Sequence, residues 1–74
     1  MKPFKTFFCN GQEYCTGDNL TILDLLKYFD YNSTLIVLEY NNCICNQKNW
    51  DKVFISDNDK IEIIEDFVGN GHTD

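Results

Sequence analysis

Four Cys, one His and twelve Asp plus Glu are the side chains through which this chain could do chemistry. Cys9, Cys15, Cys43 and Cys45 are spaced C-x5-C and C-x-C, not as the C-x2-C pairs of zinc knuckles and ribbons. Between the first two stands Asn10-Gly11, the strongest short signal for a two-residue hairpin turn. In such a hairpin Cys9 pairs with Gln12 and Cys15 with Thr6, and strand alternation sends the two thiols to opposite faces. They then share neither a metal nor a disulfide. Cys43 and Cys45 share a face at a separation of about 7 Å, but a metal there would need two further ligands. All four thiols are read as small buried or half-buried groups of a reducing compartment. The C-x4-C-x2-C run of plant-type ferredoxins is missing, so no iron–sulfur cluster is expected. His72 has no companion at ligand or triad spacing, and Ser33 and Ser56 have neither a nearby His nor a nucleophile elbow. Asp57/Asp59 and Glu65/Asp66 fall where a turn and a strand end place acids anyway. No catalytic residue, metal or bound cofactor is expected.

The informative segment comes last. After a strongly patterned strand the sequence changes to Val68-Gly69-Asn70-Gly71-His72-Thr73-Asp74. Glycine has no Cβ, so a Gly-rich extension can enter a channel that excludes side chains. A carboxylate at the end of such an extension can be activated there. The plain alternative is a polar, Gly-rich chain end of the ordinary kind.

Composition narrows the partners. Seventy-four residues make one domain, expected over 1–68, with 69–74 as a C-terminal tail. Hydrophobic content of 43% with 24% charged residues is that of a globular chain. Six Lys, no Arg and twelve acids leave a net charge of −6, which excludes a nucleic-acid footprint and disfavours an anionic membrane surface. No apolar run approaches the roughly 18 residues of a spanning helix, and the apolar start is too short for a signal peptide. Nine Asn, seven Ile and six Lys with no Ala or Arg point to an AT-rich genome, such as that of a plastid or some bacteria. Plastid stroma or bacterial cytoplasm is the expected location.

The elements that must position the tail follow from periodicity. A hairpin is expected at 5–16, around Asn10-Gly11. Thr21-Ile22-Leu23-Asp24 forms a capping box, with Asp replacing the usual Glu or Gln. Ile22, Leu25, Leu26 and Phe29 make one stripe of a helix of about three turns, ended by Asp30 to Ser33. Leu35 to Tyr40 is almost continuously apolar and reads as a strand buried on both faces. Asn41-Asn42 turns into a short strand at Cys43–Cys45, and Asn46–Asp51 is a loop or single helical turn. Trp50 there either caps the edge of the core or anchors a partner. Asp57–Asp59 turns into a last strand over 60–67, with Ile61 and Ile63 on one face and Glu62 and Ile64 on the other. One helix cannot cover itself, so it must lie across one face of a mixed sheet of four to five strands. That is an α+β chain of the β-grasp, or ubiquitin-like, class.

Several segments, in order, resemble the ThiS-type sulfur carriers of thiamine (thiazole) biosynthesis. They are Phe8-Cys9-Asn10-Gly11-Gln12-Glu13, Leu20 to Leu26, Val37-Leu38-Glu39-Tyr40-Asn41 and Trp50. Ser56 to Ile64 resembles the family's Asp-Gly-Asp segment, and Phe67-Val68-Gly69-Asn70-Gly71 its Val-Gly-Gly-Gly end. The resemblance implies a carrier and not an enzyme. An E1-like adenylating enzyme spends ATP to activate the terminal Gly carboxylate, a cysteine desulfurase supplies sulfur, and thiazole synthase takes it from the thiocarboxylate. Carried over, the reactive carboxyl belongs to Gly71, with Gly69 and Asn70 threading the partner's channel. Ile64, Phe67 and Val68 are the implied docking contacts, with core packing as the alternative. This chain departs from the Gly-Gly end: Asn70 stands in the penultimate place and His72-Thr73-Asp74 follow Gly71. A gapless last strand would shift the pair to Gly69-Asn70. Activation at Gly71 therefore requires removal of the last three residues. The alternatives are a degenerate β-grasp binding module without sulfur transfer, or a small subunit like that of molybdopterin synthase.

Overall fold

Asn10 and Gly11 both take left-handed backbone, with φ of 52° and 80°, which matches the turn to the right-handed twist of its strands. The turn joins β1 (Lys5–Cys9) to β2 (Gln12–Thr16) in the expected register, Cys9 opposite Gln12 and Thr6 opposite Cys15. The computed structural model describes residues 4–31 and 35–65 of the chain.

Helix α1 (Ile22–Tyr28) opens on the capping box that its sequence calls for. The Asp24 N–H donates to Thr21 Oγ1 at 3.1 Å, and the Thr21 N–H donates back to Asp24 Oδ2 at 3.0 Å. Ile22 and Leu23, the first two helical residues, donate their N–H groups to the carbonyls of Val53 and Trp50. Donors that a helix start leaves orphaned are thereby satisfied from a distant loop. At the other end Asp30 adopts φ 62°, and the N–H groups of Asp30 and Tyr31 return to the carbonyls of Lys27 and Leu26. This Schellman closure ends the helix after seven residues, shorter than the expected three turns.

The remaining strands are β3 (Ile36–Tyr40), β4 (Cys43–Ile44) and β5 (Lys60–Glu65). A single 3₁₀ turn at Gln47–Asn49 lies between β4 and β5, and Phe54 makes an isolated antiparallel bridge to Thr21. The sheet order is β2-β1-β5-β3-β4, with β5 parallel to β1 and antiparallel to β3. The last strand in sequence is thus the central one in space. α1 covers one face: Ile22, Leu25 and Leu26 pack with Phe7, Cys9, Leu38, Ile61 and Ile63 in a single core. The mixed five-stranded sheet with one helix is the expected β-grasp.

β3 departs from the expectation. Leu38 is buried, but Val37 is 40% exposed and Glu39 only half-buried, so one face of the strand meets solvent. Among the described residues the one α-helix, of seven residues, covers one side of the sheet and leaves the other open. Trp50 resolves to core: it is 2% exposed and its Nε1–H donates to the Cys45 carbonyl at 3.0 Å.

Asp59 is the buried polar residue among the described ones, at 6% exposure. Its Oδ2 accepts from the Tyr40 hydroxyl at 2.5 Å and from the Ser56 N–H at 2.6 Å, and its Oδ1 from Asn41 Nδ2 at 3.0 Å. Burial first, then the bond to Asp59 and its charge, push the Tyr40 phenol from 10.0 up to about 12. A phenol whose pKa is raised by folding stabilises the fold fully below its unfolded pKa. That stabilisation is lost as pH rises from 10.0 through about 12. Denaturant unfolding over that range should show falling stability, and Tyr40→Phe should flatten the fall. Tyr31, also raised chiefly by burial, leaves a smaller dependence in the variant.

Candidate functional site

The candidate site is the end of β5 and the open face of the sheet around it. Gly69, Asn70 and Gly71, like Phe67, Val68 and His72, lie outside the described residues. What the structure places is the strand that leads to them. Asn10 holds it: the Asn10 N–H donates to the Ile61 carbonyl at 2.9 Å, and Asn10 Oδ1 accepts from the Ile63 N–H at 2.7 Å. Asn10 Nδ2 also reaches the Tyr31 hydroxyl at 3.4 Å. One residue in left-handed backbone therefore ties the hairpin turn to the central strand that enters the tail. A substitution there would lose the turn and the tie together.

The open face carries the docking candidate. Ile64 is 51% exposed and lies directly opposite Val37 at 40%. Two residues along, Glu62 lies opposite Glu39, and Glu39 lies opposite Ile44, which is 74% exposed. Direct cross-strand partners project from the same face, so these five side chains make one patch. Three are apolar and exposed, and two are carboxylates set side by side. Like charges directly opposite each other cost stability. A basic group placed beside the pair would offset that cost. Sequence reading found Ile64 and missed the rest. The signal was the alternation of Val37, Leu38 and Glu39, masked by the apolar neighbours that made β3 look buried throughout.

The thiols do not join this site. All four are free thiols; Cys9 is buried and Cys45 half-buried as expected, but Cys15 and Cys43 are exposed, because they lie on β2 and β4, the two edges of the sheet. Cys9 and Cys15 lie on opposite faces, as the hairpin register requires. Burial pushes the Cys9 thiol up, with the Glu62 charge adding to it, and burial pushes Cys45 up as well. Both are held in the protonated, poorly nucleophilic form at neutral pH. Among the described residues no three His, Cys, Asp or Glu side chains come together to hold a metal. No helix among them is long and apolar enough to cross a membrane.

Comparison with known proteins follows the same lines. The ThiS family model matches residues 7–69. A protein of Trieres chinensis named "Uncharacterized protein ycf40" is 64% identical over 67 residues, covering 90% of either chain. One of the same name from Porphyra purpurea is 36% identical over 62 residues, covering 84% of this chain and 86% of that one. The crystal structure of the thiamine biosynthesis protein ThiS from Geobacter metallireducens superposes with a TM-score of 0.75. It spans 89% of this chain and 99% of its own at 22% identity, a likeness of fold.

Proposed function

Because the chain belongs to the ThiS family, we propose that it is a sulfur carrier whose Gly71 carboxylate becomes a thiocarboxylate. The family match over residues 7–69, on a β-grasp fold, is the observation that supports the carrier reading, and the choice of Gly71 follows the resemblance of Phe67 to Gly71 to the family's end. A carboxylate is a poor electrophile. An E1-like enzyme that binds ATP makes it one by attaching AMP and releasing pyrophosphate, and sulfur originating from a cysteine desulfurase then displaces AMP. Sulfur stays tethered until an acceptor, thiazole synthase, removes it. The chain itself holds no ATP and performs no turnover; it presents the reacting atom. Gly71 reaches that state once His72-Thr73-Asp74 have been cleaved away, with Asn70 threading the channel in place of Gly. The relatives' name ycf40 and the composition rich in Asn, Ile and Lys support a plastid-encoded chain working in the stroma.

The docking step belongs to the Val37, Ile44 and Ile64 patch. An acidic chain of net charge −6 is steered to a basic docking face, and the apolar residues then set the lifetime of the complex. Ile64→Lys should shift folding stability by no more than about 1 kcal/mol, because the position is half exposed. It should weaken capture by the activating enzyme by roughly tenfold or more, since an apolar anchor is replaced by a charge. Unaltered affinity in a binding titration would move docking off this face.

The decisive experiment is the intact mass of the protein purified from its native source. The expected species ends at Gly71, in part heavier by the exchange of one oxygen for sulfur. A population ending only at Asp74 would overturn the carrier reading.

A further inference from the structure

The two edges of the sheet are not alike. β4 is an edge of two residues, too short to template another strand. β2 is a regular edge of five without Pro, Lys or a bulge, and Glu13 is its one charged side chain. Its free groups can be identified. Thr6, Phe8 and Asn10 use their backbone groups toward β5 and the turn before it, through the Asn58 N–H on Thr6 O, the Phe8 N–H on Asp59 O and the Asn10 N–H on Ile61 O. Lys5, Phe7 and Cys9 therefore face β2, where they bond Thr16, Tyr14 and Gln12. That leaves the N–H and C=O of Glu13 and Cys15 directed outward along the edge.

Beside this edge, between β2 and α1, runs a groove of about 230 Å³ lined by Tyr14, Thr16, Leu20, Leu25, Tyr28 and Phe29, among others. Its floor is a file of rings, Phe7 stacked on Tyr14 at 5.7 Å, Tyr14 edge-on to Phe29 at 5.1 Å, and Phe29 to Tyr28 at 5.3 Å. Tyr28 is 79% exposed. The groove is smaller than the roughly 300 Å³ at which drug-sized ligand pockets begin, and suits one or two side chains of a chain laid alongside. Asp18 is the charged residue in its lining. The neighbouring Lys5 ammonium is already engaged by the Asp18 carbonyl and Asn19 Oδ1, at 3.2 and 2.9 Å.

We propose that β2 is a second docking site, taking an extended segment of a partner protein as a sixth strand, with apolar side chains in the groove and a Lys or Arg beside Asp18. Free strand-edge groups supply main-chain affinity and the groove supplies side-chain choice, the two parts of strand addition. A second copy of this chain is the poorer occupant, because edge-to-edge pairing would bring two chains of −6 together. The site lies at the opposite edge from β4 and does not depend on the tail being reactive.

The test is a titration of the isotopically labelled full chain with the synthetic peptide Lys-Val-Ile-Val-Ile-Lys. The expected result is movement of the Glu13 and Cys15 amide resonances, with new protection of both amides from hydrogen exchange. Replacing the peptide's Lys by Glu should weaken binding by roughly threefold or more. Methylating the peptide's backbone nitrogens on alternate residues should weaken it at least about tenfold, since donors to the edge are lost. Cys15→Pro should do the same from the protein side without disturbing the β1 ladder, because the Cys15 N–H faces away from it. Three results would each overturn the proposal: unmoved Glu13 and Cys15 resonances, indifference to N-methylation, or protection of both amides by self-association before peptide is added.

Discussion

Gly71→Ala is expected to abolish thiocarboxylate formation while leaving the thermal unfolding curve unchanged. The two halves of that result have separate causes. Among the described residues the buried hydrophobic core runs from Phe7 to Ile63, all of it upstream of the substituted position. The chemistry is set by what can stand next to the carboxyl carbon. In the proposed carrier a methyl group there would have to enter a partner channel sized for Gly, and misplacing a reacting atom by about 1 Å costs on the order of a hundredfold in rate. Incubation with the activating enzyme, ATP and a sulfur donor, followed by intact mass, reads the product directly. The starting protein must end at residue 71 in both forms. Wild-type conversion by the Ala form would contradict the requirement for Gly at the reactive end. Gly69→Ala, run beside it, distinguishes the shifted register in which the pair falls on Gly69-Asn70.

Trp50→Ala has the largest expected effect on the fold. Removing a buried Trp costs about 3–5 kcal/mol through lost burial and the cavity left behind. A chain of this size rarely has more than about 3–5 kcal/mol to lose. The indole also holds the Cys45 carbonyl through Nε1, and the Trp50 carbonyl receives the Leu23 N–H at the start of α1. Losing the side chain therefore loosens the loop that completes the helix start. Circular dichroism and tryptophan-independent melting should show a largely unfolded chain at room temperature. Trp50→Phe, which keeps most of the volume, should stay folded with a lower midpoint. A native melting curve for Trp50→Ala would contradict the assignment of this residue to the core.

The three apolar residues of the open face explain why the site is only partly visible before folding. Ile64 is legible because it alternates with Ile63 and Glu62 in a well-patterned strand. Val37 sits in a run so apolar that periodicity cannot say which residues face inward. Ile44 belongs to a strand of two residues, too short to show any period. Their meeting is decided by the order β5-β3-β4, which brings together residues 37, 44 and 64. The Glu39/Glu62 pair is likewise a product of register. In the sequence those carboxylates are simply two of twelve acids.

The local rules were enough wherever a residue acts on its immediate neighbours. Asn10-Gly11 specifies the hairpin and hence the opposite faces of Cys9 and Cys15, because φ is positive at both turn residues and side chains alternate from there. Thr21 and Asp24 specify the helix start, three residues apart, through two reciprocal hydrogen bonds. The net charge of −6 argues against a nucleic-acid footprint without any coordinates. Other features required the chain to return on itself. Asn10 reaches Ile63 across 53 positions, Asp59 gathers Tyr40 and Asn41 across 19 and 18, and the Val53 and Trp50 carbonyls cap a helix that begins at Ile22. No spacing rule encodes those partners. They are chosen by the closing of the sheet around β5, where burial demands a partner for every backbone and carboxylate group left inside.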